Sequence, residues 1–284
     1  MIINPVSGGY SEARLNRITA LLERGGIKVE PMRTKCSDDA ASFAARACRD
    51  SDEPLIAACG GDGTLNGVIN GIEPGKAILA ILPFGTANVL AKELAIRSLE
   101  DGASRIVRGV SKPITIGIVE GDGVDRRFIL MAGIGVDGSV VERLRISEKQ
   151  RMGKLAYLLA AVRELVDWKR GRIEVRDDGE KIDCHSLIVC NAARYGGGFV
   201  IAPNAEIFNP GLHAVCITGN TRSAYARVAL SIIAGKVRSC KEITFLKANE
   251  FSVSGNRAVQ VDGDYCCKAP VRIRSMEGFA RLIV

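Results

Sequence analysis

The chain has 284 residues, room for two compact domains or one large one. An apolar share of 47% and a charged share of 25% suit a protein with a sizeable core and exclude a long disordered tract. The net charge of +7 is scattered and aromatics are only 5%, which excludes a nucleic-acid platform of interleaved rings and cations and leaves either a solvated basic surface or attraction to anionic lipid or a nucleotide polyphosphate.

Strands and helices alternate through the first 110 residues or so. "MIINPVSGG" reads as a short strand ending in a Pro/Ser/Gly loop, and residues 11 to 25 follow with Leu15, Ile18, Leu21 and Leu22 at helical spacing. "IKVEPM" is a second strand, and a helix over 38–49 is opened by Ser37 and Asp38 as caps. "PLIAAC" is a third strand, followed by Gly60-Gly61-Asp62-Gly63-Thr64 and a helix from about Thr64. "AILAILP" is a fourth, then "FGTAN", then a helix through "VLAKELAI". Such units predict a doubly wound parallel sheet, with ligands beyond the carboxyl ends of its strands.

After Pro113 the texture changes. "ITIGIVEG", "RRFILMAGIG", "GRIEVRDDGEKIDCHSLIVCNA", "GLHAVCITG", "KEITFLKANEFSVSG", "AVQVDGD" and "PVRIRS" are strand-like, with turn signals such as Asp177-Asp178-Gly179 between them. The expected fold is therefore α/β plus β, a parallel-sheet domain over 1–113 and a mostly antiparallel β domain over 114–275, with helices near 151–168 and 222–235. The last stretch, 276–284, suits a strand of either domain.

Nine cysteines show no CxxC spacing, and with only His185 and His213 a structural zinc site is disfavoured; reduced thiols in a cytoplasmic protein fit best. "IINPV" begins at residue 2, which leaves no room for a signal peptide, and no run approaches the ~18 apolar residues of a membrane span.

Chemistry concentrates in three loops, 4–9, 60–64 and 83–88, all at one end of the predicted sheet. In 60–64 the glycines permit close backbone approach and the next helix starts with free N–H groups, which together favour an anion. Asp62 would repel a phosphate unless a cation lies between them, so it faces magnesium or a ribose, and Thr64 caps the helix and reaches a phosphate oxygen. A tight turn with a capping Thr explains one such loop equally well, but three converging loops favour a nucleotide cleft.

These residues carry a resemblance. Asn4-Pro5-Val6-Ser7-Gly8-Gly9, Gly60-Gly61-Asp62-Gly63-Thr64 and Pro83-Phe84-Gly85-Thr86-Ala87-Asn88, in that order and spacing, resemble the diacylglycerol kinase catalytic-domain family, and most nearly its soluble bacterial lipid kinases. The similarity runs on through "GIGVDGSVV" (133–141), "GKLAYLLAAVREL" (153–165), "CNAARYGGGFVIAPNA" (190–205) and "VQVDGD" (259–264). It implies a phosphofructokinase-like α/β domain followed by a β-sandwich, with ATP and magnesium between them, and γ-phosphoryl transfer to a hydroxyl of diacylglycerol or a related lipid, a step of phospholipid biosynthesis. Carried over, Asn4, Ser7 and Gly9 lie near the nucleotide, and Gly61, Asp62, Gly63 and Thr64 meet phosphates and metal. Gly85, Thr86 and Asn88 line the opposite wall. NAD kinases share the Gly loop but leave "NPVSGG" and "VQVDGD" unexplained.

"AVQVDGDYC" reads as a strand ending in an Asp-Gly turn. By pattern alone this is a hairpin with two solvated carboxylates; the resemblance makes Asp262 the general base, with Asp264 in the place of a family Glu in a similar role. Three positions depart from the family: Thr115 replaces an Asp, and Asn209 and His213 replace both acids of a metal-binding Asp-Gly-x-Leu-Asp loop. A nucleotide- or lipid-binding regulatory protein is the alternative those losses encourage. Within 151–168 an apolar face (Leu155, Leu158, Leu159, Val162, Leu165) with basic ends suits core packing or peripheral docking on the anionic inner membrane face. A homodimer stays open.

Overall fold

The protein is described here from a computed structural model, over residues 1–121, 123–142, 171–177, 179–196 and 198–284. The expected 151–168 helix lies outside those residues.

The N-terminal part alternates as its periodicity requires. Strand β1 (Ile2–Ile3) leads to α1 (Glu12–Arg24), which buries Leu15, Ile18 and Leu22 and is capped by Ser11. Strand β2 (Met32–Arg33) leads to α2 (Asp39–Asp50), β3 (Leu55–Gly60) to α3 (Asp62–Gly71), and β4 (Ile78–Pro83) to α4 (Val89–Glu93) and α5 (Leu99–Arg108). The strands lie in the order β2-β1-β3-β4, all parallel. Two local expectations fail. "IKVEPM" is a strand only at its end, because β1 offers just Ile2 and Ile3 as partners for Met32 and Arg33. Asp38 makes no capping hydrogen bond; Asp39 accepts from the Lys35 and Cys36 amides instead, at 2.6 and 3.0 Å.

The rest is a β-sandwich. Strands β5 (Ser111–Gly121), β6 (Val124–Phe128), β8 (Ile173–Arg176), β9 (Lys181–Cys184), β15 (Glu250–Ser254) and β18 (Val271–Ile283) extend the first sheet. A second, antiparallel sheet runs β14 (Ile243–Ala248), β13 (Leu212–Ile217), β10 (Ser186–Cys190), β7 (Met131–Ile134), β16 (Ala258–Val261) and β17 (Asp264–Lys268). Between them Val119, Phe128, Phe251 and Ile273 meet Ala132, Ile134, Leu187 and Val189, none of them exposed. A short helix α6 (Val136–Glu142), a small hairpin of β11 (Arg194–Tyr195) and β12 (Phe199–Val200), and helix α7 (Arg222–Ile233) complete the described elements.

Strand β18 joins the halves. Its first part pairs with β15, its end runs parallel to β4 through Arg281 and Leu282, and β5 follows it antiparallel with a shift between Met276 and Ala280. "PVRIRS" and "GFARLIV" are thus one strand, broken where Gly278 takes φ +62°. In β5, Gly117 pairs with Phe128, whose fully buried ring covers it; a Cβ there would lie 2.0 Å from the ring. Gly117→Ala must push that ring out of the sandwich. We expect a loss of about 1–3 kcal/mol in urea unfolding, and an unchanged midpoint would contradict this packing.

Candidate active site

The three glycine loops touch one another at the carboxyl ends of β1, β3 and β4. The Asn4 side chain donates to Thr64 Oγ1 at 3.1 Å, and its own oxygen accepts from the Val6 amide. The Gly9 amide donates to the Phe84 carbonyl at 2.7 Å, and a Cβ on Gly8 would stand 2.8 Å from Thr86 Oγ1. Gly61 and Gly85 lie face to face: a Cβ on Gly85 would sit 2.4 Å from the Gly61 Cα. Only glycine lets these two backbones come so close. Ser7 closes a turn through its backbone, accepting from Tyr10 and donating to Asn4.

Helix α3 starts earlier than its sequence suggests. Gly61 is the N-cap, and the Thr64 and Leu65 amides both bond its carbonyl, so Thr64 lies inside the first turn and does not cap. Gly63 faces open space, which leaves the α3 N-terminus accessible to an anion. The Asp62 carboxylate reaches across to the α4 N-terminus and accepts from Val89 and Leu90 at 3.0 and 3.2 Å. That contact is worth about 0.3–1 kcal/mol. Asn88, held left-handed at φ 47°, donates to the Gly85 carbonyl, while its buried Oδ1 has no partner among the described residues. An orphaned buried acceptor beside a glycine cradle fits a polar ligand. The residues suit magnesium only as the counter-ion of such a ligand. Each Asp62 oxygen has one lone pair engaged and one left, and no group of three His, Cys, Asp or Glu gathers among the described residues.

Asp262 is the second centre. It opens a two-residue turn between β16 and β17 with φ 48° and Gly263 at φ 89°, both positive as a type I′ turn demands. Its carboxylate is not solvated, contrary to a simple hairpin turn. Oδ1 accepts from the Leu130 and Met131 amides at 3.0 and 2.9 Å, and Oδ2 from Ile129 and from the Asn66 side chain at 2.9 and 2.8 Å. This is why "RRFILMAGIG" splits into β6 and β7: Ile129 and Leu130 leave the ladder to bond the acid. Burial pushes the Asp262 pKa from 3.8 to about 6, against the pull of these four donors. The net displacement corresponds to about 3 kcal/mol. Because the folded value is raised, Asp262 favours folding at low pH, and that contribution is lost as pH rises from about 4 to about 6. Asp264, by contrast, is exposed at the start of β17.

Asn66 was not singled out by sequence, yet it joins the two centres. It lies four residues after Asp62, about 6 Å along α3, so the Gly loop and the acid are one helical turn apart. Asn70, one turn further on, bonds the Arg127 backbone in both directions. The readable signal was two amides at i and i+4 in "TLNGVING", beside the buried Leu65, Val68 and Ile69. Behind the turn the Gly263 amide donates to Gln260 Oε1 at 2.7 Å, and Gln260 Nε2 to Asp137 at 2.7 Å. Asp137 also accepts from the Tyr195 hydroxyl, and burial raises its pKa. Gly133 makes room for that carboxylate, since a Cβ there would stand 1.7 Å from it.

At the positions that depart from the family pattern, Thr115 is buried and the Asn209 amide donates to Glu206 at 2.8 Å. His213 sits within β13, paired with Cys190 and Lys247, and burial followed by Lys247 lowers its pKa.

Residues 1–119 match the family model of the diacylglycerol kinase catalytic domain, and residues 131–284 that of the YegS C-terminal NAD kinase beta sandwich-like domain. A diacylglycerol kinase of Bacillus subtilis is 30% identical over 276 residues, 93% of this chain and 89% of the relative. One of Mycobacterium tuberculosis is 26% identical, covering 97% and 91%. A crystal structure of a diacylglycerol kinase from Bacillus anthracis superposes with a TM-score of 0.71 at 18% identity, covering 99% and 94%. An NAD kinase from Archaeoglobus fulgidus in complex with ATP gives 0.54 at 13%, covering 100% and 92%. These two share the fold.

Gln260→Leu removes the acceptor of the Gly263 amide and one donor of the buried Asp137. We expect a loss of about 1–3 kcal/mol in thermal or urea unfolding; unchanged stability would mean that the network does not hold the turn.

Proposed function

The chain belongs to the diacylglycerol kinase family, and we infer from that premise that it is an ATP-dependent lipid kinase, transferring the γ-phosphoryl group to a hydroxyl of diacylglycerol or a related lipid. The observation that carries this reading is Asn66, through which the helix that opens at the Gly loop also grips Asp262.

The proposed division of labour follows from the contacts. The backbone of Gly61 and Gly63 at the open α3 N-terminus receives phosphates, with Thr64 beside them and Asn4, Ser7 and Gly9 forming the near wall. Gly85, Thr86 and Asn88 form the far wall, where the orphaned Asn88 Oδ1 accepts from a nucleotide donor. Magnesium, carried by the phosphates and touched on the protein side by Asp62, would neutralise charge on the transferring group. No structural magnesium is assigned to the 209–213 loop.

Asp262 acts as general base toward the lipid hydroxyl. A pKa near 6 leaves it mostly ionised at pH 7 and still basic enough to take a proton. All four of its lone pairs already accept hydrogen bonds, so one donor must yield. The amides of Ile129, Leu130 and Met131 are fixed in backbone; Asn66 is the side chain that can turn away. Asp264 serves as a second acid on the solvent side of the turn. We divide the chain into a nucleotide domain over 1–113 and a lipid domain over 114–275, with 276–284 counted with the first. We place the enzyme in the cytoplasm, in peripheral contact with the inner membrane face; among the described residues no helix is long and apolar enough to cross a membrane.

The test is labelled-phosphate transfer from magnesium-ATP to a detergent-dispersed lipid panel, with NAD alongside. Transfer to a lipid is expected, falling about 10²–10⁴-fold in Asp262→Asn. A base must be ionised, so kcat/KM should fall about tenfold per pH unit below a pH of about 6 and level off above it. Phosphorylation of NAD alone would overturn the acceptor class, and an Asp262→Asn enzyme as active as the parent would overturn the base.

A further inference from the structure

Helix α7 (Arg222–Ile233) is apolar on two sides. Ala224 and Val228 face the core, as a surface helix requires. A second stripe, Ala226, Ala229, Leu230 and Ile233, recurs at the three- and four-residue spacing of a single helix face and points outward. Leu230 is 65% exposed and Ile233 68%. Strand β12 neighbours this helix and carries Phe199, 47% exposed. One exposed leucine needs no explanation, but a stripe of this kind marks an interaction surface.

Charge identifies the partner. From Gly211 to Lys241 there is no Asp or Glu, and five bases stand there: Arg222, Arg227, Lys236, Arg238 and Lys241. Arg227 is paired with Glu242 at 2.6 Å, while among the described residues Arg238 donates to a neutral amide, that of Asn204, and has no acidic partner. Lys236 and Lys241 are exposed beyond the helix. An apolar stripe rimmed by cations complements an anionic bilayer, with bases at the headgroups and Leu, Ile and Phe at the acyl boundary. A second copy meeting the same face about a twofold axis would set bases against bases.

The surface also leads to the site. Phe199 belongs to the same hairpin as Tyr195, whose hydroxyl bonds Asp137 and, through Gln260, the turn that holds Asp262. We propose that the outward stripe of α7, together with Phe199, seats the enzyme on an anionic lipid surface and orients its active site toward the bilayer. This rests on the lipid kinase reading.

The experiment is co-sedimentation of the full chain with phosphatidylcholine vesicles, with and without phosphatidylglycerol, comparing the parent with Leu230→Ser/Ile233→Ser. Both positions are exposed, and a thermal melt verifies folding. The parent should bind the phosphatidylglycerol vesicles and release them at high salt. The variant should bind at least about tenfold more weakly, yet phosphorylate a short-chain, monomeric diacylglycerol as fast as the parent. Equal vesicle binding by both proteins, or none by the parent, would overturn the docking surface. So would a parent dimer that the variant breaks while vesicle binding is unchanged. Vesicle binding that behaves as expected, with no lipid phosphorylated in either form, would support the surface and overturn the kinase.

Discussion

Three consecutive backbone amides, those of Ile129, Leu130 and Met131, converge on the single carboxylate of Asp262. Much of the site depends on that convergence. It interrupts the sheet between β6 and β7, and it fixes the β16–β17 turn against the β7 strand, where the Asp262 amide returns a bond to the Met131 carbonyl. It also gives α3 something to hold, because Asn66 supplies the fourth hydrogen bond. A buried carboxylate without such donors would be protonated or would unfold its surroundings. With them it stays titratable at about 6.

The glycine loops answer a different constraint. The loops approach each other with little room for side chains between them. Gly61 against Gly85 and Gly8 against Thr86 achieve this, and Asp62 bridges the 60–64 loop to α4 at the cost of much of its freedom as a ligand. A carboxylate committed to two amides is a poor sole anchor for a cation but a good spacer between two loops.

Periodicity made most of the fold legible. The strands that became β1, β3 and β4 and the amphipathic α1 are local patterns, and local patterns can be read in a sequence. What escaped was long-range. "IKVEPM" has strand composition, but its partner is two residues long. "RRFILMAGIG" is a continuous apolar run, and only an acid some 130 residues away explains its break, the separation from Ile129 to Asp262 being 133. Thr64 looked like a cap because its residue type suits one; helix geometry assigned that place to Gly61. The loop residues were legible through their resemblance to a family, whereas Asn66, Asn70 and Gln260 were hidden as ordinary polar residues within regular elements. Their meaning lies in which groups they meet far along the chain: Asn66 and Asn70 reach Asp262 and Arg127, and Gln260 reaches Asp137.

The central claim is that Asp262 is an enclosed carboxylate whose proton is governed by burial against four donors. Carboxyl-carbon NMR on selectively labelled aspartate, titrated against pH and assigned with Asp262→Asn, measures this directly. A resonance with a midpoint near 6, accompanied by shifts of the Ile129, Leu130 and Met131 amide protons at the same pH, is the expected result. A midpoint near the ordinary 3.8, with those amides indifferent to it, would mean that the carboxylate is solvated and that the site is not built around it.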